Sequence, residues 1–144
     1  MSRRPAWGVT LFVLMGTLAA AQKVVGPEEF DRAMKTIGTA IEGVNQAIGS
    51  KSYVEAKTPL ALSRQVLASS GPVWETKRKP DAVRMTRDAV ATMDALDKAL
   101  SPAVVDAAAV ADAVEDVTRV CNACHTMYRE GDEQTGYRIK SASR

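Results

Sequence analysis

All the cysteine and histidine of this 144-residue chain stands in one run near its C-terminus, Cys121-Asn122-Ala123-Cys124-His125. Two thiols and an imidazole in C-x-x-C-H spacing are the attachment site of a c-type haem. The reason is geometric. Residues at i, i+3 and i+4 of a helix share one face, so the two sulfurs can bond the two vinyl groups while the imidazole reaches the iron. One covalently bound haem c would then carry the redox chemistry, and the chain would hold and tune it.

Other chemistries use less of the run. Zinc needs four ligands, and two cysteines with one histidine leave a gap. A C-x-x-C disulfide is compatible with export but leaves His125 unexplained. A thioredoxin-like oxidoreductase would place C-x-x-C beside an α/β core, and the chain shows no Val/Ile/Thr alternation that predicts strands.

The elements that must position the motif read as helices. Hydrophobic content is 46% with only 5% aromatic residues and many alanines, which favours small-residue helix packing and an all-α fold. A first helix over 28–49 carries Phe30, Met34, Ile37, Ile41, Val44 and Ile48 at alternating spacings of four and three, an unbroken apolar seam. Glu28, Glu29 and Asp31 complement the positive end of its dipole. A second helix over 52–69 opens on Ser52-x-x-Glu55, a capping-box pattern, with Leu60, Leu62, Val66 and Leu67 on its apolar side. Pro59 should kink it or delay its start. The stretch from Ser70 to Pro80 reads as the longest irregular connection.

Asp81 is placed to cap a third helix over 81–100 that turns Met85, Ala89, Met93, Leu96 and Leu100 inward. Ser101-Pro102 reads as a cap and first helical residue of a fourth helix over 102–130. There Val110, Val114, Val117, Cys121, Cys124 and Tyr128 repeat the seam, which puts the motif on the inward face, and Gly131 ends it. The polar segment 131–144 reads as a loosely ordered tail. Four such helices joined by short turns predict an antiparallel up-down four-helix bundle in one domain, 22–144.

Residues 1–21 have the three parts of a secretory signal: Arg3 and Arg4, an apolar run from Ala6 to Leu18, and Ala19-Ala20-Ala21 before the expected cut. The run is short for a bilayer-spanning helix, and no cysteine follows it to carry a lipid. The reading implies a periplasmic protein with no membrane association after cleavage. Of 19 basic and 17 acidic residues, the leader holds Arg3, Arg4 and no acid, so the mature chain is balanced at 17 and 17. No global charge argues for nucleic acid or an anionic membrane. The local clusters Lys77-Arg78-Lys79 and Arg138, Lys140 and Arg144 could steer an acidic partner, but read more simply as a solvated loop and tail.

An exported four-helix chain with C-x-x-C-H near its C-terminus resembles the class II c-type cytochromes, cytochrome c′ and its low-spin relatives; class I members carry the motif near the N-terminus. The matching text is Cys121-Asn-Ala-Cys124-His125-Thr-Met-Tyr128-Arg129, together with Met34-Lys35 and Ile37-Gly38. The resemblance implies thioethers at Cys121 and Cys124, His125 as proximal iron ligand through Nε2, Tyr128 against the porphyrin edge, and Arg129 near the proximal imidazole or the propionates. Where the family often has arginine four residues before the first-helix methionine, this chain has Phe30.

Met34 would decide the mechanism. In low-spin members a first-helix methionine ligates the iron, giving a one-electron carrier between periplasmic redox partners rather than an enzyme. In cytochrome c′ the equivalent residue only covers the metal, leaving a five-coordinate haem that binds nitric oxide or carbon monoxide. Met34 could also simply fill the seam. Met85 and Met93 lie on the wrong helix for this role, and Met127 is too close to His125. Family members often pair, so a homodimer is a candidate assembly.

Overall fold

A computed structural model describes residue 24 and residues 26–132 and 134–141; the secretory-signal reading of 1–21 lies outside the described residues. The chain is mostly helical: α1 Pro27–Gly49, α2 Tyr53–Ser69, α3 Gly71–Thr76, α4 Pro80–Ala99 and α5 Ala107–Tyr128, then two short strands, β1 Arg129–Glu130 and β2 Arg138–Ile139. Among the described residues no helix is long and apolar enough to cross a membrane.

Helix α1 keeps the predicted seam, but alanines do much of the packing. Ala33, Ile37, Ala40 and Val44 are buried, and Met34, Ile41 and Ile48 are half-buried against the same core. At its start Glu29 accepts from the Gly26 amide at 2.8 Å, satisfying a donor that has no partner within the helix. Helix α2 begins at Tyr53 and runs through Pro59 without a break. The Ser52 hydroxyl makes no capping bond, so the expected capping box is absent. Leu62 is exposed and Ser63 takes the inward position instead, its hydroxyl donating to the Pro59 carbonyl at 3.0 Å. Burial at Ala56, Leu60, Ser63 and Leu67 follows the helical period, which leaves Leu62 on the wrong side.

The supposed irregular connection contains α3, with Val73 and Trp74 almost wholly buried. Asp81 does not cap the next helix. Pro80 occupies its first turn behind Lys79, and the Asp81 carboxylate is engaged elsewhere, as described below. The inward Ala89, Met93, Leu96 and Leu100 of the third long helix are buried as expected. Helix α5 starts five residues later than Ser101-Pro102 suggests: Asp106 is its cap, accepting from the Ala108 and Ala109 amides at 2.9 and 3.4 Å. A carboxylate bonded to two orphan amides beside the dipole's positive end outcompetes the proline signal.

The C-terminal segment is also different from the expected tail. Helix α5 stops at Tyr128, and β1 pairs antiparallel with β2, Arg129 opposite Ile139 and Glu130 opposite Arg138. Gly131 makes this return feasible. Its φ is +91°, and a Cβ there would lie 2.1 Å from the Gly136 carbonyl oxygen, so only glycine fits. Asp132 closes the turn, accepting from the Thr135 amide at 2.7 Å.

Helix α1 lies along α2, α2 along α4, and α4 along α5, whereas among the described residues no extended backbone approach joins α1 to α5. Two cores result. The longer runs along the four long helices and includes Val44, Leu60, Met93, Leu96, Val110 and Val117. The second, at the end where α1 starts and α5 finishes, is built on Trp74, Ala82 and Tyr128 with Phe30, Val83, Met85, Cys124 and Ile139 against them.

Candidate haem attachment site

Cys121, Cys124, His125 and Tyr128 all lie within α5, so helical spacing decides their common face. Cys121 is half-buried against the long core, and Cys124 is half-buried against the end core. The two sulfurs therefore mark the junction of the cores. They are not joined to each other. Burial pushes the Cys121 thiol up and is the main cause that pushes the Cys124 thiol up to about 11, with the charges of Cys121 and Asp81 adding to it. Both sulfurs are thus protonated at neutral pH, apolar enough to stay in these cores and weakly nucleophilic.

His125 is half-buried beside them. Burial, and then the positive charge of Arg129, hold its pKa below the ordinary imidazole value. The ring is neutral at pH 7, with one nitrogen lone pair available to a metal. Among the described residues no three His, Cys, Asp or Glu side chains converge on one metal position. The only strands there are the two short ones, so the thioredoxin-like arrangement lacks its α/β core.

Tyr128 is 5% exposed. Its ring lies 5.0 Å from that of Trp74 at a tilt of 48°, and Trp74 in turn meets Phe30 edge-on at 5.2 Å. This aromatic chain links α1, α3 and α5 across the motif's end of the molecule. The Tyr128 hydroxyl donates to the Asp81 carboxylate. Burial, then this bond, push the phenol up to about 12, and the same bond holds Asp81 below its ordinary value.

The sign of that last shift gives a testable pH dependence. A carboxylate bonded more tightly in the folded chain stabilises it fully above its ordinary value of 3.8, and that contribution is lost as pH falls through the lower native value. Urea midpoints followed by circular dichroism should therefore separate wild type from Asp81→Asn at about pH 6, the variant being less stable, and converge at about pH 2. Equal separation at both would remove the carboxylate from the account.

No family model, curated protein or solved structure matches this chain. The site accordingly stands on its own residues. Arg129 lies at the end of α5, exposed, its guanidinium 4.4 Å above the Tyr137 ring while its charge acts on His125. Met34 is half-buried on α1 against the long core, and Phe30, one turn earlier, belongs to the end core that contains Cys124. Trp74, Asp81, Tyr137 and Ile139 also belong to this neighbourhood and were not anticipated in these roles. The Trp74 signal was available: in a chain with 5% aromatic residues, a tryptophan so far from the N-terminal apolar run implies a buried contact.

Proposed function

We propose that this chain is an exported class II c-type cytochrome, an antiparallel four-helix bundle that carries one electron between periplasmic partners and is not itself an enzyme. The observation that supports it best is the placement of Cys121 and Cys124 where two apolar cores meet, on a helix that makes no extended approach to α1 among the described residues. A flat apolar macrocycle needs such a setting between helices.

In this reading Cys121 and Cys124 would hold the haem covalently, each S–H adding across a vinyl double bond with no oxidant consumed. His125 would ligate its iron through nitrogen, and Met34 would ligate it through sulfur. When bound, the haem provides a one-electron couple. The chain's own residues do the rest: Tyr128 and Trp74 exclude water from the Cys124 side, and the Arg129 charge beside His125 favours the less positive, reduced centre.

A second reading rests on the position of Met34 against the long core while Phe30 occupies the cluster with Cys124. Met34 would then shelter an open site that binds nitric oxide or carbon monoxide. Visible spectra of the reduced protein distinguish the two. With Met34 as ligand, carbon monoxide leaves the wild-type spectrum unchanged over minutes and shifts that of Met34→Ala at once. An immediate shift in the wild type would replace the electron carrier by the gas-binding protein.

A further inference from the structure

The helices of this fold pack in a chain, α1 on α2 and α5 on α4, with no extended backbone approach between α1 and α5 among the described residues. The C-terminal hairpin spans that gap. Strand β1 continues α5 directly after Tyr128, and β2, paired to β1, also lies against α1. Ile139 of β2 enters the end core, where Phe30 of α1, Trp74 of α3 and Cys124 of α5 also pack. A two-residue strand thus ties the first helix to the last.

What this strand covers and what holds it are unequal. Ile139 packs against Trp74 and Tyr128, which are 3% and 5% exposed. The attachments themselves are few and wet. The ladder is two residue pairs long, and the Lys140 amide adds one bond to the Tyr128 carbonyl at 2.8 Å. Arg138 meets Glu130 at 3.0 Å and the Lys140 ammonium meets the Thr126 carbonyl at 2.8 Å, both in exposed positions. Exposed ion pairs add little to stability, so the half-buried Ile139 is the main anchor. Few buried apolar contacts and exposed hydrogen bonds mark a segment that opens at much lower free energy than the whole domain.

We infer that the C-terminal hairpin is a clasp whose release admits water to the end core beside Cys124 while the long core stays folded. Its regulatory value rests on the proposed function: solvent access around a redox centre sets its potential, and entering water favours the more highly charged, oxidised state. Gly131 is the pivot, because its φ of +91° and its approach to the Gly136 carbonyl leave no room for a Cβ.

Amide hydrogen exchange of the protein as purified, wild type against Gly131→Val, tests the clasp. The substitution blocks the turn and removes no side chain from either core. Exchange over 28–37 and 71–86 should accelerate about tenfold or more, while 93–100 and 110–117 in the long core stay within about twofold of wild type. Ile139→Ser, which keeps the turn and removes the anchor, should give the same pattern. Unchanged exchange in both variants, equal acceleration in both cores, or loss of folding in both would overturn the clasp. In a sample whose intact mass includes haem, Gly131→Val should also lower the reduction potential, and an unchanged potential would remove the regulatory role. Exchange is read with or without haem, so a failure of the cytochrome reading and a failure of the clasp are told apart.

Discussion

Replacing Cys121 and Cys124 together by serine is expected to abolish covalent haem completely, while each single replacement leaves one thioether and a looser, more easily extracted group. The expectation follows from chemistry: serine keeps the size of the side chain and its place on α5 but supplies no sulfur to add to a vinyl carbon. Denaturing gels stained for haem, acid-acetone extraction and intact mass read the result directly. A wild-type mass equal to that of the bare polypeptide would reject the c-type cytochrome reading outright. His125→Ala separates attachment from ligation: the thioethers should survive, and the visible spectrum should lose the histidine-ligated form.

Trp74→Ala should be the most damaging substitution that touches none of the attachment residues. Trp74 is 3% exposed and contacts both Phe30 and Tyr128, so its loss opens a cavity where α1, α3 and α5 meet. Large-to-small changes of this kind cost about 3–5 kcal/mol, which for a domain of this size lowers Tm by on the order of 10–15 °C. Thermal melts by circular dichroism check it, and Trp74→Phe should recover much of the loss by refilling part of the space. A melt shifted by only a degree or two would mean that α3 is not part of the core.

Much of the helical plan was legible because it depends on periodicity. The seam through Ile37, Ile41, Val44 and Ile48, and the inward Met93, Leu96 and Leu100, needed only the repeat of apolar residues. What was not legible depended on competition between local signals. Ser101-Pro102 is a sound start signal, yet Asp106 caps the helix, because two amide bonds to a carboxylate favour the later start. Ser52 and Glu55 have the right spacing and make no box. Asp81 has the type of a cap but is drawn to Tyr128, a contact 47 positions away that no local pattern encodes.

The candidate site divides in the same way. Type and spacing single out Cys121, Cys124 and His125, whereas no local pattern specifies their surroundings. A six-residue helix such as α3 is too short to show a period, so the sequence around Trp74 reads as a connection. The paired ends of β1 and β2 depend on a close approach between Gly131 and Gly136, and two-residue strands leave no alternation to read.

The return of the chain through that hairpin has a practical consequence for anyone handling the protein. Ser141 follows directly on Lys140, whose ammonium bonds the Thr126 carbonyl at 2.8 Å, within the last turn of α5. An affinity tag fused directly after Ser141 would therefore emerge beside the finish of α5 and obstruct whatever approaches Arg129 and Tyr137. The exposed loop 101–106, at the other extremity, is the better place for an inserted label, a surface anchor or an electrode linker.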